Sequence, residues 1–177
     1  VPLAGAGPSL QRAGVMGAGY GVSLAAVGLL TTALFATHLV VQIPGGRLID
    51  RVGARGVGLA ALSVAAAGNA IALIAPSLGI GLAGRIVMGI GTGAGFVAGI
   101  DLVRSGKGGP FWQGAYGGAT MAAGGLALMV VPQLVGGLGW RAPYWTGLAL
   151  AVLAVLPVLA ARAARVARHP DAHEALG

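Results

Sequence analysis

A chain of 177 residues that is 56% hydrophobic and 8% charged, with a mean hydropathy of +0.88, lacks the polar groups to cover a water-soluble surface, since soluble domains carry about a quarter charged residues. It suits a lipid bilayer, where apolar runs of about 20 residues cross roughly 30 Å of hydrocarbon. The net charge of +7 does not indicate nucleic acid, because the eleven basic residues are scattered along the chain with no aromatic-and-basic platform to stack bases; no cysteine is present, which excludes disulfides and Cys-based metal sites.

Residues 1–21 are interrupted by Pro2, Pro8, Gln11 and Arg12, and the expectation there is the end of a truncated first helix and a loop. Val1 stands first, and no basic segment with an apolar h-region precedes a cleavage site, so the chain is expected to start inside a longer protein. Five runs then pass the length test for spanning helices: 22–43, 57–76, 80–103, 111–138 and 143–161. At 1.5 Å per residue, a helix of about 22 residues reaches about 33 Å, enough to cross with some tilt. Residues 162–177 are expected to form a tail, with Arg162, Arg165 and Arg168 spaced along a helical face that meets anionic headgroups or leads to a following domain. The 34 glycines fit closely packed spanning helices, where a missing side chain lets backbones approach.

Charge alternates along the connections. Arg47, Arg51 and Arg55 follow the first complete run, Arg104 and Lys107 the third, and Arg162, Arg165 and Arg168 the fifth. The other connections hold only Arg12 and Arg141. Eight basic residues against two predict a cytoplasmic side by the positive-inside bias. Residue 1 is then expected outside and Gly177 in the cytoplasm, and the expected location is the inner (plasma) membrane.

Three strings carry a family resemblance. In 46–55, Gly46, Leu48, Asp50, Arg51, Gly53 and Arg55 match the pattern Gly-x-Leu-Ala-Asp-Arg-x-Gly-Arg-Arg, while Ala54 departs from it. Arg85 is followed by Gly89, Gly91 and Gly93, and Gly139-Trp140-Arg141 precedes the last run. Pro8-Ser9-Leu10 is similar to the end of a first helix. Together and in this order they resemble the N-terminal half of a major facilitator superfamily transporter, from the end of its first helix through its sixth. The resemblance implies an all-α membrane bundle that moves a small solute by alternating access, with the C-terminal half as its missing partner. The fifth-helix motif of drug–proton antiporters is not present, since Ala127-Leu128 and Val131-Pro132 stand where Gly-Pro and Gly-Gly would be.

Particular residues follow from chemistry and from the resemblance. Positive-inside topology explains Arg51, Arg55 and Arg104 but not Asp50, Gly46 or Gly53. The resemblance implies that Gly46, Asp50, Arg51, Gly53 and Arg55 latch the two halves, and that Asp101 pairs with Arg51 or Arg55 in one conformation. Asp101 and Arg104 are also three apart on one helical face. Arg85 lies inside a span, where a charge costs about 2.5–3.5 kcal/mol on insertion scales. It is expected either to snorkel to the outer interface or to face the pathway near an anionic solute or a proton-carrying acid. His38 and Gln42, four apart, and Asn69 complete the candidate solute or proton pathway; the bland reading for His38 and Asn69 is a hydrogen bond between helices. Gly91, Gly95 and Gly99 are expected to form a packing seam.

With four acids in all, and without a Gly-x-Ser-x-Gly elbow, a His-Glu-x-x-His pair or a phosphate-cradling Gly-x-x-x-x-Gly-Lys string, no catalytic set, metal site or cofactor is expected. A membrane-embedded enzyme centred on His38 and a structural multi-pass protein are the alternative classes. The expected partners are the bilayer, a small solute and the second transporter half.

Overall fold

The computed structural model describes residues 17–75, 77–105 and 109–168, with 156–168 as helical backbone. The expectations on Pro8-Ser9-Leu10, Arg12, Pro76, Lys107 and the tail from residue 169, and those on the side chains of Arg162, Arg165 and Arg168, lie outside the described residues. After a helical turn at 17–20 come α1 (Leu24–Val52), α2 (Ala54–Leu73), α3 (Leu78–Ser105), α4 (Pro110–Leu138) and α5 (Ala142–Arg168), with a 3-10 turn, Gly139–Arg141, between the last two. No strand occurs among the described residues.

Local chemistry sets the ends. Ser23 caps α1 by accepting a hydrogen bond from the Ala26 N–H at 3.3 Å, filling one of the free donors of the first turn. Gly109 and Pro110 open α4, where proline gives up an N–H that would be unpaired in any case. Gly53 and Gly139 reverse the chain with φ of +86° and +60°, a region that favours glycine. Pro44 and Pro132 lie inside α1 and α4 without ending them, a tolerance known in spanning helices, whose freed backbone groups find other partners.

The helices outlast the apolar runs that reveal them. α1 continues past Ile43 to Val52, so the charged string expected in a loop is mostly helical: Gly46–Val52 complete α1, Gly53 is the whole connection, and Ala54 and Arg55 begin α2. The reason is that a helix closes its own hydrogen bonds in water as in lipid. Hydropathy marks the hydrocarbon, and glycine at positive φ marks the turn. α5 likewise continues through Arg168, beyond the expected span end at 161.

α3 is the centre of the bundle, packed between α1 and α2, while α2 also packs on α5 and α4 flanks the assembly. Its glycines make this possible. A Cβ on Gly89 or Gly93 would run into the α1 carbonyl oxygens of Leu34 and His38, at 2.5 Å in each case. One on Gly91 would strike the α2 backbone at Ala61 and Ala65, and one on Gly84 would lie 2.9 Å from the Gly68 oxygen. The expected seam of Gly91, Gly95 and Gly99 divides. The first two face Ala61 and Ala65 of α2, whereas Gly99 lies under the Tyr116 hydroxyl of α4.

Outward-facing residues are apolar. Phe35, Leu39, Val40, Ile43, Ile74, Met121, Met129 and Leu150 are all exposed, a surface unsuited to water and suited to acyl chains. Four stretches are long and apolar enough to cross a membrane, the last being α4 and the first half of α5 taken together through the Gly139 turn. Two ends result. At one lie Gly53 and the last turns of α1 and α3; at the other lie residues 20–23, the end of α2 and the turn 139–141.

Candidate functional site

Arg85 is in the second turn of α3 and belongs to the Gly139 end. Its guanidinium carbon lies 4.7 Å from the centre of the Tyr144 ring on α5. Nη1 donates to the Met88 sulfur at 3.7 Å, and the buried Nε has no acceptor among the described residues. The charge is therefore directed onto α5 and held by a ring face, an attraction that strengthens out of water. Tyr144 is 0% exposed. Its hydroxyl lies 3.3 Å from that of Tyr20, and its ring meets Trp140 edge-on at 6.2 Å and 88°. Tyr20 in turn packs on Trp140 at 4.6 Å. Burial pushes the Tyr20 hydroxyl well above the ordinary tyrosine range, and the Tyr144 hydrogen bond adds to the shift.

The turn that carries Trp140 is fixed by its own arginine. Arg141 Nε donates a 2.9 Å hydrogen bond to the Leu73 carbonyl at the end of α2, and its guanidinium stacks 4.4 Å from the Trp140 ring centre. The last carbonyls of a helix have no partner within it, and a basic side chain is a natural one. The Gly-Trp-Arg string thus ties α5 to α2 and sets the ring on which Arg85 rests.

His38, Gln42 and Asn69 do not gather around Arg85 as one set. His38 lies at mid-height on the α1–α3 seam, with Nδ1 3.1 Å from Thr92 Oγ1 and its ring 5.9 Å from that of Phe96. Thr92 spends its hydroxyl hydrogen on the Gly89 carbonyl at 3.3 Å. With that hydrogen so used, Thr92 Oγ1 is placed to accept from a His38 Nδ1–H, and in the neutral ring of that tautomer Nε2 keeps its lone pair, with no hydrogen-bond partner among the described residues. Gln42 is partly buried one turn further along α1. Asn69 is 2% exposed on α2, donating from Nδ2 to the Ala65 carbonyl at 2.9 Å. Its Oδ1 has no hydrogen-bond partner among the described residues and lies against Gly147 of α5.

The latch residues meet in part at the Gly53 end. Gly46, Asp50, Asp101 and Arg104 line one open cavity of about 190 Å³ between α1 and α3, walled by Ile49, Val97 and Ile100. Asp101 forms its ion pair with Arg104 of the same helix, Nη2 to Oδ1 at 3.2 Å, with side chains 29% and 72% exposed. Arg51 and Arg55 are exposed and make no ion pair among the described residues, and neither does Asp50. Tyr144, Tyr20 and Thr92 are contacts that sequence reasoning missed. The available signal was the scarcity of such groups: three tyrosines in the chain, two of which touch.

Long apolar helices joined along glycine seams, with charge confined to their ends and to one inward arginine, define a multi-pass integral membrane protein. The Major Facilitator Superfamily model matches residues 8–176, a length that fits one half-domain of such a protein. The chain belongs to that superfamily, a family of membrane transporters. No curated protein and no solved structure matches it.

Proposed function

We propose that these helices form one wall of a solute pathway that opens alternately to the two sides of the membrane, with an oxyanion as cargo and Arg85 as the cation it meets. The observation that carries this reading is Arg85 itself. Among the described residues it is the charge furthest inside any helix, it turns toward α5, and it has no carboxylate beside it. Its Nε has no acceptor among the described residues and its only side-chain acceptor is the weak Met88 sulfur, and such a partly buried guanidinium is matched to a carboxylate or phosphate. Family membership supports transport over the enzyme and structural alternatives.

The second wall is a further six-helix half, rocking against this one about a midplane site. The Gly53 end is cytoplasmic by the eight-to-two bias of basic residues. There Asp50 and Asp101 share one cavity, which supports a latch in which Asp101 exchanges Arg104 for Arg51 or Arg55 as the bundle rocks. His38, with its free Nε2, is the candidate proton carrier.

Uptake into proteoliposomes that hold this half joined to its second half tests the proposal, with phosphate, benzoate, glucose and choline as probes. Accumulation of an anion that is lost in Arg85→Gln and weakened in Arg85→Lys is expected. Anion uptake that persists unchanged in Arg85→Gln overturns the assignment of Arg85.

A further inference from the structure

An arginine inside a membrane bundle needs something to hold its charge, and carboxylates are the usual means. Here the means is mainly aromatic, with the Met88 sulfur as a weak acceptor from Nη1. Tyr144 is the hub of a cluster drawn from three parts of the chain: Tyr20 before α1, Trp140 in the turn before α5, and Tyr144 within α5. Its face carries the Arg85 guanidinium, its edge meets Trp140, and its hydroxyl meets Tyr20. α3 closes the cluster from the other side, since a Cβ on Gly81 would stand 2.7 Å from the Tyr20 hydroxyl. Tyr144 is fully buried, so its ring cannot swing aside without moving its neighbours.

We infer that Tyr144 is the positioning residue for Arg85: its ring face fixes the guanidinium inside the bundle while leaving hydrogen-bonding capacity for an anion. The inference rests on the reading of Arg85 as the pathway cation and supplies what that reading lacks, a reason for the arginine to stay in place when no solute is bound. A resident carboxylate would hold Arg85 equally well but would fill the donors that an anionic solute needs. A π face attracts the charge and offers no oxygen, in keeping with an Nε that has no acceptor among the described residues. The chemistry that completes such a cation is a carboxylate or phosphate oxygen.

The test is the rate of phenylglyoxal labelling at Arg85, mapped by peptide mass spectrometry on the protein in lipid nanodiscs. Arg141 is the internal reference, because it shares the same end of the bundle but is anchored to the Leu73 carbonyl. Tyr144→Phe keeps the face and should leave Arg85 labelling within about twofold of wild type. Tyr144→Leu removes the face and should raise it by about threefold or more, the scale of one partly dry cation–π contact, with Arg141 unchanged. Equal labelling in all three proteins overturns the inference. So does an equal rise in Tyr144→Phe and Tyr144→Leu, which would assign the hold to the hydroxyl, or a parallel rise at Arg141, which would mean general loosening. Should Tyr144→Leu not yield monodisperse protein, Tyr144→Met is judged by the same criterion. Protection of wild-type Arg85 by added inorganic phosphate is scored separately, because it bears on the pathway reading alone and tells a failed clasp from a failed pathway.

Discussion

The Nε of Arg141 donates to the carbonyl oxygen of Leu73 at 2.9 Å, across 68 positions of sequence. This bond closes the C-terminal end of α2 with a side chain from the turn before α5, so the two helices share one terminus. Arg141→Ala should lose about 1 kcal/mol, lowering the melting midpoint by roughly 2–4 °C for a chain of this size. Arg141→Lys should recover less than half of that, because an ammonium neither forks nor stacks on Trp140 as a guanidinium does. Fluorescence-detected thermal unfolding of detergent-extracted protein measures both.

Gly53 and Gly91 should fail for different reasons. Around Gly53 there is open space for a Cβ, but φ is +86° and ψ 147°, a region essentially reserved for glycine. Gly53→Ala should therefore cost about 1–3 kcal/mol through backbone strain alone. Gly91 is helical, and a Cβ there collides with the α2 backbone at Ala61 and Ala65. Gly91→Ala should force α2 and α3 apart, at about 1–3 kcal/mol by overpacking. A disulfide cross-linking series between α2 and α3 separates the cases: the α2–α3 register shifts in Gly91→Ala and stays in Gly53→Ala. Gly114→Ala, which meets nothing within 4 Å, should be neutral in both assays.

Asp101→Asn removes the ion pair with Arg104. Because Arg104 is largely exposed, solvent screens the pair, and stability should change by less than about 1 kcal/mol. If the pair belongs to a latch, transport should nevertheless slow. The informative comparison is uptake rate against expression level: unchanged values of both in Asp101→Asn would remove Asp101 from the latch.

His38 and Thr92 should couple weakly. Polar bonds between spanning helices average about 0.6 kcal/mol in double-mutant cycles. The cycle His38→Ala, Thr92→Val and the double variant should return a coupling energy of that size. A value indistinguishable from zero would mean that the 3.1 Å contact contributes no stability, and that His38 is held by its contact with Phe96 alone.

Composition and the length of the apolar runs were enough to determine that this chain crosses a membrane as a series of helices. In lipid backbone N–H and C=O groups must be satisfied within the protein, and an apolar run of about 20 residues does so almost entirely within itself by forming a helix. The motif strings around Asp50, Arg85 and Arg141 were likewise enough to indicate the family. The helix ends were less legible: Gly46–Val52 looked like a loop because they are charged, yet charge ends the hydrocarbon and not the helix. Tertiary structure alone decided where Arg85 points. Its ring partner lies 59 positions later, and no periodicity links α3 to α5; only the approach permitted by Gly84 and Gly91 to α2, and the anchoring of Arg141 on Leu73, brings Tyr144 beneath it. Hydropathy is a property of each residue by itself, whereas a charge held on a ring is a property of two surfaces that must first be packed together.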